Sequence, residues 1–264
     1  MPVPTLNNPA RARLEAGEVS LGIGLRTTRT VDIAIMMKNS GMDWLFIDFE
    51  HSPMDLETAG QLSVAALGVG ISPIVRIPNG ELALGARALD SGALGIVVPH
   101  VESADEAREI VRQLRYAPQG QRGVSGMLPQ FGYQPINLGE ATVEINRSIL
   151  VVVMLETARA VSRADEIAAV PGVDVVMLGT NDFANSCGYP GQFGHEVVGK
   201  AYDTLQHACK KHDKWVGSGG LSDPLHFDRY IKKGARFILA GSEAGFLMQG
   251  AKTRVELLRK IETA

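Results

Sequence analysis

Residues 46–53 read FIDFEHSP, an apolar run closed by Asp48, Glu50 and His51, with three titratable groups in four positions. A histidine side chain ordinarily titrates near neutral pH, so it can take up and return a proton during a reaction. Such a base needs a carboxylate to orient it, and Asp48, Glu50 and Asp90 are available. Other apolar runs end in polar residues as well: Arg26 follows VSLGIGL, Arg76 closes SPIVR, His100 follows LGIVVP, and Glu156 follows ILVVVML. DVVML runs into GTND, which carries Asp182; Ser218, Ser242 and Glu243 close the last two runs. Two carboxylates from neighbouring strands, Glu156 and Asp182, can share a hard divalent cation that fills its remaining positions with water and substrate oxygens. A guanidinium at Arg76 can grip a carboxylate or an enolate oxygen in a fixed fork. Each residue also has a plain structural reading. Strand-end acids pair with surface arginines, an Asp can cap a turn, and a lone loop histidine is commonly solvated. Their convergence is what points to chemistry.

Positioning these groups requires elements that recur. Eight short apolar runs rich in Val, Ile and Leu occupy 19–25, 43–48, 72–77, 94–99, 149–155, 174–178, 214–218 and 236–241. Unbroken runs of this kind suit strands buried on both faces, hence a parallel sheet. Helical patterns separate them at 31–41, 55–70, 81–93, 103–115, 159–169, 195–212, 222–233 and 244–262. The 103–115 pattern has a Ser N-cap with acids in its first turn. Eightfold alternation of strand and helix is the pattern of an α/β (β/α)8 TIM barrel, here a single domain over residues 1–264. One long excursion, 116–148, interrupts the rhythm after the fourth strand, with a short helix expected near 137–147. In such barrels chemistry collects at the C-terminal strand ends, where the residues above fall.

Composition narrows the function further. The net charge is −3 with no long basic block, so nucleic acid is not an expected partner. Cys187 and Cys209 are the only cysteines, too few for a disulfide framework, and read as reduced thiols. The first residues lack the apolar centre of a secretory leader. No apolar run reaches the roughly 18 residues of a membrane span, so a cytoplasmic protein without membrane partners is expected. None of the nine lysines falls at a C-terminal strand end. Schiff-base chemistry needs one there, so carbon–carbon bond chemistry would instead use a metal to stabilise an enolate. The Gly-rich stretches GSGG and AGSEAG could bind phosphate, but no Lys or Arg accompanies them.

Taken together and in this order, DWLFIDFEHSPMD, PIVRIP, LDSGALGIVVPHVESADEAREIVRQLRYAPQGQRGV, LETARAV and LGTNDFANSCGYPGQFGH resemble the HpcH/HpaI aldolase family. These are class II pyruvate aldolases, among them 4-hydroxy-2-oxoheptanedioate aldolase and the 2-keto-3-deoxy sugar-acid aldolases. The resemblance runs from about residue 20 to 250. It implies a (β/α)8 barrel with an exchanged C-terminal helix, assembled as a hexamer, a trimer of dimers. It implies metal ligands at Glu156 and Asp182 for Mg²⁺, Mn²⁺ or Co²⁺, and a pyruvate-binding arginine at Arg76. It also implies a catalytic histidine at His51 paired with Asp90, and backbone at Gly179 and Thr180 that meets the pyruvate carboxylate. The implied reaction is reversible aldol cleavage of 4-hydroxy-2-oxo acids to pyruvate, or hydroxypyruvate, and an aldehyde. The alternatives are a decarboxylating enzyme acting on oxaloacetate, like macrophomate synthase, a barrel that binds metal and oxo acid without turnover, and a phosphosugar enzyme. The chain departs from the family pattern where Met154 replaces a common Gln, where GTNDFANS replaces GP(N/A)DLS, and where His100 replaces an apolar residue.

Overall fold

The computed structural model describes residues 3–262. Eight parallel strands close into one barrel in sequence order, each hydrogen-bonded to its neighbours and the last to the first. They are β1 (Ser20–Leu25), β2 (Trp44–Asp48), β3 (Ser72–Arg76), β4 (Gly95–Val98), β5 (Leu150–Leu155), β6 (Val175–Gly179), β7 (Trp215–Gly219) and β8 (Ala235–Ser242). The helices are α1 (Pro9–Glu15), α2 (Asp32–Asn39), α3 (Leu56–Val69), α4 (Leu82–Asp90), α5 (Ala104–Leu114), α6 (Leu138–Ser148), α7 (Ala158–Ser162) and α8 (Ala164–Ala168). They continue with α9 (Thr180–Ser186), α10 (Glu196–Lys211), α11 (Pro224–Lys232) and α12 (Glu243–Glu262).

All eight expected strands are present, and the fold is the (β/α)8 barrel read from the alternation. The helix expected over 159–169 is two short helices, α7 and α8, because the chain leaves helical geometry at Arg163. α1 was not foreseen: seven residues carry too little apolar periodicity to stand out. It closes the N-terminal mouth of the barrel. Asn8 donates to the carbonyls of Leu94 and Ser148, and Ser72 Oγ accepts from Ala10 N–H. Ala10 and Leu14 complete the inner core of Trp44, Phe46, Ile74, Val97, Met177 and Phe237.

Inside the barrel Trp44 stacks on Phe237, ring centroids 4.1 Å apart. Gly22 makes the room, since a Cβ there would come within 2.2 Å of the indole. The outward strand residues, such as Leu45, Ile47, Val75 and Val153, join the core beneath the helices. α12 differs from the other helices. It touches β1 and β8, and Leu247, Met248, Val255 and Ile261 stand 56–73% exposed. Both cysteines are free thiols. Among the described residues no helix is long and apolar enough to cross a membrane.

Candidate active site

Strand periodicity delivers the polar groups. Side chains alternate across a strand, so residues two apart share a face. Trp44 and Phe46 point into the barrel, and Asp48 continues that row at its upper end. Ile74 leads to Arg76 in the same way, and Val152 and Met154 lead to Glu156. Asp48 and Arg76 are register partners on β2 and β3, and their side chains meet. Arg76 Nε lies 2.9 Å from Asp48 Oδ1, and Nη2 lies 2.7 Å from Oδ2.

Asp48 is fully buried. Its Oδ1 accepts the backbone N–H groups of Glu50 and His51, and its Oδ2 accepts from Arg26 Nε at 2.9 Å. Burial works against its ionisation, but the Arg76 guanidinium, with His51 N–H and Arg26, outweighs burial and holds the carboxyl below its usual range. Asp48 is therefore the anchor of the loop that carries His51. Glu50 takes the remaining arm of Arg76, Nη1 to Oε2 at 2.8 Å. Its Oε1 stands 3.2 Å from His100 Nε2.

Glu156 is 2% exposed. Its Oε2 accepts the backbone N–H of His100 at 2.7 Å and faces the ring Nδ1 at 3.0 Å. His100 holds a left-handed backbone, φ 55°, which turns both groups onto the one carboxylate oxygen. Burial, with Asp182 and Glu50 adding negative charge, pushes the Glu156 carboxyl up to about 7, against the pull of His100. The Glu156 side chain lies across Gly179, where a Cβ would sit 2.6 Å from Cγ and 2.7 Å from Oε1. A glycine at the end of β6 is thus required for Glu156 to lean toward Asp182, which sits in the first turn of α9. Below α9, Thr180 Oγ1 meets Tyr202 OH at 2.9 Å, which meets Ser218 Oγ at 2.6 Å. This buried relay ties α9 to α10 and β7.

These residues surround a cavity of about 230 Å³ at the C-terminal mouth, lined by His51, Arg76, Glu156, Gly179, Thr180 and Asp182. Six of the seven expected residues therefore converge. Arg26, Phe46, Asn181, Gly220 and Leu239 line it too; of these, only Arg26 had stood out in the sequence, as a strand-end residue. No lysine lines it. The His51 ring is half exposed, and its Nε2 is 3.8 Å from Glu50 Oε2, outside hydrogen-bond range.

Asp90 is the exception. The last residue of α4, it lies outside the cavity, beside α3, where a Cβ on Gly60 would come within 3.4 Å of the adjacent Ser91. Its carboxylate is held by Arg122 Nη2 at 2.5 Å. It lines a groove of about 810 Å³ beside α3, with Leu56, Gln61, Val64 and Tyr133. Within one chain Asp90 does not orient His51. Glu50, another of the three carboxylates available to orient a base, instead stands beside the ring, at 3.8 Å.

The donor set fits one hard cation. Two carboxylates come from adjacent β/α units, Glu156 Oε1 makes no hydrogen bond among the described residues, and the cavity leaves room for water and substrate oxygens. Among the described residues no group of three or more His, Cys, Asp or Glu side chains forms a closed metal cage. Two protein carboxylates beside a cavity with space for water and substrate suit a catalytic cation rather than a structural one.

Comparison with known proteins identifies the family. Residues 28–249 match the sequence model of the HpcH/HpaI aldolase/citrate lyase family. The chain is 34% identical over 244 residues to the 4-hydroxy-4-methyl-2-oxoglutarate aldolase of Hapsidospora irregularis, covering 90% of each. It is 30% identical to the 5-keto-4-deoxy-D-glucarate aldolase of Shigella boydii, covering 98% of this chain and 99% of that one. The crystal structure of an HpcH/HpaI aldolase from Desulfitobacterium hafniense superposes with a TM-score of 0.89 at 30% identity, over 94% of this chain and 96% of that one. The chain belongs to the HpcH/HpaI aldolase/citrate lyase family, and its chemistry is that of a carbon–carbon lyase.

Proposed function

We propose that the protein is a divalent-metal-dependent aldolase that cleaves 4-hydroxy-2-oxo acids to pyruvate, or a hydroxypyruvate-like donor, and an aldehyde. The observation that carries this reading is one cavity walled by two carboxylates, a fixed guanidinium and a half-exposed imidazole ring. Glu156 and Asp182 would hold Mg²⁺, Mn²⁺ or Co²⁺, which when bound supplies Lewis acidity toward the 2-oxo group. Arg76 is locked on Asp48 and Glu50, so its charge faces the developing enolate without reorganisation. The backbone of Gly179 and Thr180 receives the substrate carboxylate. His51 takes the proton of the 4-hydroxyl. The C3–C4 bond breaks, the aldehyde carbonyl forms at C4, and the electron pair passes into the enolate of the 2-oxo acid. Return of a proton to C3 completes pyruvate.

Asp90 would reach His51 only from a second copy of the chain, because its own fold holds the two apart. The exposed apolar residues of α12 support exchange of that helix between copies, in a homo-oligomer such as a trimer of dimers. The substrates named for the two relatives, 4-hydroxy-4-methyl-2-oxoglutarate and 5-keto-4-deoxy-D-glucarate, support a 2-oxo acid substrate. Product analysis with a 4-hydroxy-2-oxo acid beside oxaloacetate, with Mg²⁺ and with EDTA, tests the reading. Aldehyde and pyruvate should appear only with metal and vanish in Glu156→Ala. Faster turnover of oxaloacetate with no aldehyde from the other acid would make the protein a decarboxylase instead.

A further inference from the structure

We propose that Arg26 is an anion subsite that receives the far carboxylate of a 2-oxo diacid, making diacids the preferred substrates; this rests on the oxo-acid site proposed above. Arg26 directly follows β1 and lines both the cavity of about 230 Å³ and an adjoining one of about 340 Å³. Among the described residues it is the only charged one lining the adjoining cavity, whose other walls include Leu221, Ser222, Leu239, Phe246 and Gln249.

Its position is held from two sides. The backbone N–H groups of Arg26, Thr27 and Thr28 all donate to Glu243 Oε1, at 2.7, 2.6 and 3.2 Å, and Thr27 Oγ1 adds a fourth bond. The guanidinium is pinned through Nε to Asp48 Oδ2, while Nη1 and Nη2 make no hydrogen bond among the described residues. Arg76 is the opposite case: it is 5% exposed, and its Nε, Nη1 and Nη2 are all taken by Asp48 and Glu50. Asp48 needs no second cation, because Arg76 already meets both of its oxygens. Of the two arginines on that carboxylate, Arg26 therefore has the uncommitted donors. A planar guanidinium with its orientation set is suited to bidentate capture of a carboxylate. An acid bound by its 2-oxo carboxylate end at Gly179 and Thr180 would extend its other end past Arg76 toward Arg26.

Two C5 acids that differ only at the terminal group, 2-oxoglutarate and 2-oxopentanoate, provide the test. Binding of each is measured by calorimetry on the full-length protein with saturating Mg²⁺, so the readout does not depend on turnover. The wild type is expected to bind 2-oxoglutarate about tenfold or more tightly than 2-oxopentanoate. In Arg26→Gln that preference should fall to about threefold or less, with 2-oxopentanoate affinity nearly unchanged, and Arg26→Lys should restore part of it. Equal binding of the two acids by the wild type, or equal weakening of both in Arg26→Gln, would overturn the proposal and leave the oxo-acid site standing. If neither acid binds, the oxo-acid site itself fails, and the subsite with it.

Discussion

Glu156 leads to a prediction in which the site works against the fold. Its carboxyl is pushed from 4.5 to about 7, first by burial and then by Asp182 and Glu50. An acid whose pKa rises on folding holds its proton more tightly in the native state. Between pH 4.5 and about 7 the native chain therefore binds more protons than the unfolded chain, and stability falls as pH rises through that window. At about 1.4 kcal/mol per unit, full ionisation costs about 3 kcal/mol. Glutamine keeps the shape and an acceptor for His100 N–H but carries no charge. Glu156→Gln should therefore stabilise the metal-free protein by about 1–3 kcal/mol near pH 8, and by less than about 1 kcal/mol near pH 5. Urea unfolding followed by circular dichroism in EDTA measures both values. Mn²⁺ should then raise the wild-type midpoint and leave the variant unmoved, because a ligand stabilises only the state that binds it. If Glu156→Gln is no more stable than wild type near pH 8, an ionised Glu156 is not costly to bury. The electrostatic reason for a cation at this position would then be refuted.

Gly179→Ala places a Cβ 2.6 Å from Glu156 Cγ. It should weaken Mn²⁺ binding about 10–100-fold by calorimetry and cost about 1–3 kcal/mol of stability. Asp48→Ala leaves the buried Arg76 with Glu50 alone and should cost about 3–5 kcal/mol in urea unfolding. The Asp48 carboxyl is held low, chiefly by Arg76 against burial. Its contribution is present above the unfolded carboxylate pKa, about 4, and is lost as pH falls through the lower folded value; wild-type midpoints should drop there, and Asp48→Asn should follow a flatter course. Tyr202→Phe breaks the Thr180–Tyr202–Ser218 relay and should cost about 1–2 kcal/mol, with Mn²⁺ affinity within about threefold of wild type because neither carboxylate is touched.

The barrel was legible in the chain because each strand is a continuous apolar run, and eight such runs separated by helical patterns have few other ways to bury both faces. The ends of those runs marked Asp48, His51, Arg76, Glu156 and Asp182, and the family motifs added Gly179, Thr180 and the pairing of His51 with Asp90. What the order of residues could not carry is which neighbours share an oxygen atom. Glu50 was one of three carboxylates that could have oriented His51, and only the packed structure shows it meeting Arg76 and His100. The left-handed turn at His100, which aims a backbone N–H at Glu156, has no sequence signature of its own.

Asp90 shows the limit from the other side. Its motif pairs it with His51, yet the packed chain sets it outside the cavity, in a separate groove beside α3 and against Arg122. Arg26 and Arg76 look alike in the sequence, each an arginine at the end of an apolar run. Only the packed structure separates them, because one buried carboxylate, Asp48, and Glu50 engage Nε, Nη1 and Nη2 of Arg76, while among the described residues Nη1 and Nη2 of Arg26 make no hydrogen bond. Composition and period decide which face a residue takes, since that depends on local geometry alone. Which partners neutralise it depends on side chains brought together from distant parts of the chain, and that is decided only when the barrel closes.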